Sequence, residues 1–160
     1  MKKWSMLLLA LAMSVTLAAC GEADAGPEPG TPLNVFYDAV LAAQPDGAEE
    51  LIFFEESDPA LIDSFYPGLE KIELVQSVFY MPPIATYPCE IVLAEVKQTE
   101  QVQAVADIFQ ARIALGAADT TYPESAAGWQ TCAQVQCSGN FVCMIALPQG
   151  YTIPENVFDL

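Results

Sequence analysis

The groups able to do chemistry in this chain are carboxylates and thiols, because it contains no histidine. Ser-His-Asp and Cys-His nucleophilic catalysis are thereby excluded, as are zinc sites built with imidazole. Twenty-one Asp and Glu stand against five Lys and Arg. Among the acids, Glu49, Glu50, Glu55, Glu56 and Asp58 lie close together in the chain. Hard cations such as calcium take oxygen ligands from runs of this kind, which makes Glu55, Glu56 and Asp58 the metal candidates. The D-x-[DN]-x-[DN]-G loop is absent, and in a chain acidic throughout a solvated charge run is the better reading. Paired carboxylates could also hydrolyse a glycoside, yet nothing in the spacing fixes two of them at the separation that reaction needs. No cofactor is implied.

Cys89, Cys132, Cys137 and Cys143 are the thiols of the folded part. No C-x-x-C pair exists for redox work, and the C-x4-C and C-x5-C spacings are not those of structural zinc knuckles. An even set outside the cytoplasm is suggestive of at least one disulfide, with all three pairings open. Cys143, inside "FVCMIAL", also suits a core position as a small hydrophobe.

The fifth cysteine stands apart. Lys2-Lys3-Trp4 and the apolar run to Ala19 have the layout of a secretory signal, shorter than the ~20 apolar residues that span a bilayer. Leu17-Ala18-Ala19-Cys20 resembles the bacterial lipobox, in which the cysteine sulfur is acylated and becomes the new N-terminus. On that reading residues 1–19 are a lipoprotein signal peptide and Cys20 is a lipidation site, a tether rather than a catalyst. Several acyl chains, at ~0.8 kcal/mol per buried methylene, hold a soluble domain to a membrane. The expected location is extracytoplasmic. Residues 20–30 follow as the lipidated cysteine and a flexible acidic linker, rich in Gly, Pro and acids. The remaining chain keeps three bases, Lys71, Lys97 and Arg112, against 21 acids, a net charge of −18. Nucleic acid is excluded as a partner, as is lying on anionic lipid, because both need basic patches.

Residues 31–160 read as one globular domain. Thr31-Pro32 gives a cap-then-proline start, and Leu33, Phe36, Tyr37, Val40 and Leu41 line one helical face up to Asp46-Gly47. "ELIFFEESD" is ambiguous between a short strand and irregular chain. Asp58-Pro59 opens a second short helix stopped by Pro67-Gly68. "IELVQSVFY" and "CEIVLAEV" are strands, separated by a segment too proline-rich to continue either. From Thr99 to about Leu115 the apolar period changes to that of a helix, closed by Gly116. A loop with a helical turn near Pro123–Trp129 leads to "TCAQVQC" and "NFVCMIAL", joined by Ser138-Gly139-Asn140 as a hairpin turn. The order α-α-β-β-α-β-β predicts an α+β domain, an antiparallel sheet with helices packed on one face.

This layout, with "FYPGLEKIELVQSVFY" feeding "CEIVLAEVKQTEQVQAVADIFQARI", resembles an uncharacterised bacterial lipoprotein family, domain of unknown function 4358, over roughly residues 50–148. The resemblance implies a fold and a location. It is one of pattern, so it transfers no site residue and no activity.

One surface stretch remains, "FYMPPIATYPC". Tyr80, Pro82, Pro83 and Tyr87 present rigid apolar surface on a loop, and aromatic residues are favoured interface anchors. A stiff connection folded over the core is the blander reading, and Trp129 reads first as a core or cap residue, second as a platform for a partner. The functional expectation is a lipid-anchored domain that binds a protein or envelope component without catalysing a reaction. The alternative is a small-molecule or cation-binding sensor or carrier, and a carboxylate-based hydrolase comes third.

Overall fold

The two most continuously apolar runs, "EIVLAEV" and "FVCMIA", become adjacent strands in the middle of one sheet. The computed structural model describes residues 26–83 and 88–159. Five strands, β1 (Phe54–Glu55), β2 (Leu74–Met81), β3 (Glu90–Val96), β4 (Ala133–Ser138) and β5 (Phe141–Ala146), pair antiparallel in the order β1-β2-β3-β5-β4. Four helices accompany them: α1 (Asn34–Ala42), α2 (Pro59–Phe65), α3 (Val102–Ala117) and α4 (Pro123–Thr131). The α+β class and the antiparallel sheet expected from the sequence are what the chain forms.

The placement of the helices differs from expectation. Val92, Ala94 and Val96 of β3 face a core made with α3, with Tyr66 and with Trp129 of α4. Ile91 and Leu93 of the same strand face a second core made with Phe36 and Val40 of α1 and with Val157 and Phe158 of the C-terminal run. So α1 packs on the face opposite α3 and α4, and helices do not occupy one face only. The reason is physical. A strand with one solvated face alternates apolar and polar residues, whereas every residue of β3 and β5 is buried. Both faces had to be covered.

Local signals explain most boundaries. Asp58 caps α2, its Oδ1 accepting the Ala60 N–H at 2.9 Å, with Pro59 in the first helical position. Gly139, at φ 55°, and Asn140 make the tight turn that pairs Ser138 with Phe141. Two signals act otherwise. Thr31 does not cap α1, which begins after Leu33; its hydroxyl donates to the Glu28 carbonyl at 2.6 Å in the preceding turn. Gly116 does not close α3 but lies inside it, where an added Cβ would sit 2.5 Å from the Trp129 ring. That glycine is there for the close approach of α4.

Candidate functional site

Among the described residues two carboxylates are buried, and both are used internally. Glu90 opens β3 and points into the core beneath α3. Its Oε2 accepts from the Tyr66 hydroxyl at 2.8 Å and from Arg112 Nε at 3.0 Å, while Arg112 Nη2 bonds its Oε1. The guanidinium also lies over the Trp129 ring at 4.6 Å and the Phe65 ring at 5.0 Å. Burial, then the Glu90 charge, pushes the Tyr66 phenol well up from its ordinary value. Burial opposes the Arg112 charge, and hydrogen bonding and attraction to Glu90 more than offset it, so the guanidinium is held charged. This cluster ties β3, α2, α3 and α4 together. It offers no reacting group to solvent.

Glu95, near the other end of β3, accepts from Gln76 Nε2 at 2.7 Å and from the Gly30 N–H at 3.0 Å. Gln76 Nε2 also donates to the Thr31 carbonyl at 2.9 Å. Gly26 meanwhile lies hard against Gly139, where a Cβ on it would be 2.7 Å away. Residues 26–30, expected as part of a flexible linker, are therefore seated on the fold, held by a carboxylate that sequence reading passed over. Its one signal was an acid inside an otherwise apolar strand.

The sequence-derived candidates scatter. Cys20 and Tyr87 lie outside the described residues. Pro83 is exposed, and Pro82 and Tyr80 are half-buried at the end of β2. Trp129, only 3% exposed and packed against Gly116 and Arg112 of α3, is a core residue and presents no platform. Glu56 and Asp58 spend oxygens on their own backbone: Glu56 Oε1 accepts from the N–H groups of Ser57 and Asp58 at 2.9 and 2.8 Å, and Asp58 caps α2. Among the described residues no group of three or more acids or thiols is placed to hold a metal, so Glu55, Glu56 and Asp58 do not form a cation site. Nor do Glu90 and Glu95 converge, since they face opposite sides of the sheet and each is occupied.

The cysteines do not pair two and two. Cys89, Cys132 and Cys143 carry free thiols. Cys137 is not among the free thiols. Burial pushes the Cys143 thiol up to about 12. The Cys89 thiol rises to about 12 through burial first and the Glu90 charge second. Neither is poised as a nucleophile, because thiolate is the reactive form.

Two grooves lie at the end of the sheet where β2 finishes and β3 begins, and a third, about 430 Å³, lies at the strap end against Gly26, Thr31, Ser138 and Phe158. The first, about 450 Å³, runs between the C-terminal half of α1 and residues 48–53. Tyr37 forms its floor, stacked on Tyr80 at 3.9 Å between centroids and meeting Phe53 edge-on at 5.8 Å. Gln44 ties α1 to the C-terminal run through Thr152, donating to its carbonyl and accepting its N–H, each at 2.9 Å. The Tyr151 hydroxyl holds the opposite wall by donating to the Glu49 carbonyl at 3.2 Å. Burial raises both phenols; Tyr80 and Asp38 add to it at Tyr37, and Glu55 and Asp38 add to it at Tyr80. The second groove, about 630 Å³, is lined by Pro88, Tyr122, Pro123, Ser125 and Pro148. Both volumes lie in the range of small-ligand and side-chain pockets.

No family model, curated protein or solved structure matches the chain. Among the described residues no helix is long and apolar enough to cross a membrane.

Proposed function

We propose that this protein is a lipid-anchored extracytoplasmic domain that binds a protein or envelope component with the end of its sheet farthest from the tether. The observation that carries the reading is a polarity in the fold. The N-terminal strap is fastened at one end of the sheet, by Gly30 on Glu95 and Gly26 against Gly139. The two larger grooves open at the other, beside Phe54–Met81, Pro88 and Pro148, while the smaller one at the strap end is lined in part by the strap's own Gly26, Pro27 and Glu28. Along β3 the two ends are separated by five residue steps, ~17 Å at strand rise. A domain held by Cys20 through such a strap presents its two larger grooves outward. The lipobox-like Leu17-Ala18-Ala19-Cys20 supports the anchoring half of the proposal.

The test has two parts. Cells fed a radiolabelled or alkynyl fatty acid should label the wild-type chain, and Cys20→Ser should abolish the label and release the protein from membranes. A photo-crosslinking residue at Ile52 should then give a discrete adduct in intact cells, and one at Ser138 none. Equal adducts from both ends would remove the polarity argument. A second reading, a small-molecule carrier, has the 630 Å³ groove in its favour.

A further inference from the structure

We infer that the groove between α1 and residues 48–53 takes a basic peptide segment, whose Lys or Arg side chain lies along the aromatic floor with its charge among Glu49 and Glu50. This rests on the binding reading above and names the chemistry of the partner.

The argument is one of unmatched charge on a shaped apolar surface. Glu49 and Glu50 line the groove and are exposed, with Asp38 and Glu55 near the Tyr37–Tyr80 pair. The described residues include three cations, and all are paired elsewhere. Lys71 is 3.6 Å from Glu70, Lys97 is 2.8 Å from Glu73, and Arg112 is buried on Glu90. None lines the groove. The described residues thus supply no counter-charge to these acids, and a partner would bring it. Meanwhile Ile52 stands 65% exposed at the same groove, beside half-buried Leu41 and Leu51. Apolar stems and cationic heads are combined in lysine and arginine, whose methylenes cover apolar surface while the charge stays near solvent. A cation over a tyrosine or phenylalanine face adds an attraction of its own.

The test uses the full chain in a non-ionic detergent and a fluorescein-labelled Lys-Leu-Lys-Leu-Lys-Leu-Lys peptide, read by anisotropy. Binding should weaken as ionic strength rises from about 0.01 to about 0.15 M, as the screening length falls from about 30 to about 8 Å. The variant E49Q/E50Q/I52A should bind about tenfold more weakly or worse. All three positions are exposed, so the fold should survive the changes. The variant D63N/E100Q/L115A removes the same charge and a similarly exposed leucine from elsewhere, and should bind as wild type. No binding of the peptide, or an equal loss in both variants, would overturn the inference, because the second result would mean attraction by net charge alone. Spermine competing as well as the peptide would overturn it too, in favour of a small cation. In any of those cases a discrete Ile52 adduct in cells would leave the anchored-binding reading standing, and its absence would remove both.

Discussion

Replacing Arg112 by methionine tests whether Glu90 and Arg112 form a buried ion pair that holds the core together. The guanidinium is the only cation bonded to the buried Glu90 carboxylate among the described residues, and its side chain is 10% exposed against 5% for its partner. Removing it leaves Glu90 with one donor, the Tyr66 hydroxyl. Truncating one partner of a buried pair costs about 3–5 kcal/mol. Loss of the contact with the Trp129 face adds about 0.5–1 kcal/mol, while the methionine recovers part of the apolar packing. A net loss of about 3–4 kcal/mol is expected, a large share of the 5–15 kcal/mol that holds a typical domain together. Urea unfolding followed by Trp129 fluorescence measures it. The double variant E90Q/R112M should be more stable than R112M alone, because it no longer buries a charge without a cation. If R112M lost under about 1 kcal/mol, or E90Q/R112M were the less stable of the two, the cluster would not be the buried ion pair described.

Other consequences can be checked with the same unfolding assay. The Cys89 and Cys143 thiols, raised by burial from 9.0 to about 12, favour the neutral native form. Their contribution is therefore fully present below pH 9.0 and is lost between pH 9.0 and about 12, at up to about 1.4 kcal/mol per pH unit for each thiol. C89A/C143A should flatten that alkaline slope, and an unchanged slope would assign it to other groups. Gly116→Ala should lower the melting temperature despite alanine's better helix propensity, because its Cβ would meet the Trp129 ring at 2.5 Å and overpacking costs about 1–3 kcal/mol. A raised melting temperature would mean that α4 is free to move away. Asp58→Ala should cost about 1 kcal/mol through loss of the α2 cap, and Asp58→Asn much less. Glu95→Ala should free the strap, read as faster proteolytic cleavage around residues 26–30 with the sheet intact; unchanged cleavage would show that Gly30 is held by something else.

What the sequence made legible was whatever local chemistry decides. Asp58-Pro59, the Gly139-Asn140 turn and the periodicity of α3 each carry their own signal within a few residues, and each was found. What it hid was set by distant partners. Burial of both faces of β3 and β5 is written in their unbroken apolar runs, but which element supplies the second cover is not. That element, α1, has an ordinary amphipathic face that would serve on either side. Trp129 read first as a core or cap residue and is one, but its neighbours Gly116 and Arg112 could not be named, because they lie 13 and 17 residues earlier in the chain. The acidic run before α2 offered ligand types for a cation but read better as a solvated charge run, and Glu56 and Asp58 fold back onto nearby backbone amides. Carboxylates near helix starts commonly do this, with the unsatisfied N–H groups as the nearest donors. The groove on α1 could not be foreseen at all, since it joins residues 37–53 to a C-terminal run without pattern.

The scarcity of bases ties these features together. With one cation committed to the core and two to surface pairs, most of the carboxylate surface is uncompensated, and its field is felt over about one screening length, ~8 Å at physiological salt. Under the proposed anchoring, an anionic leaflet repels such a domain, while the strap fixes which end faces the bilayer. Repulsion alone would hold the domain off the membrane without orienting it. A strap alone would orient it only loosely. Acting together they favour the two larger grooves facing outward, at the end where a basic partner would also be steered by the same field. The two roles separate by salt: above about 1 M, where screening falls to ~3 Å, steering should vanish while the Glu95–Gly30 contact, partly buried, persists.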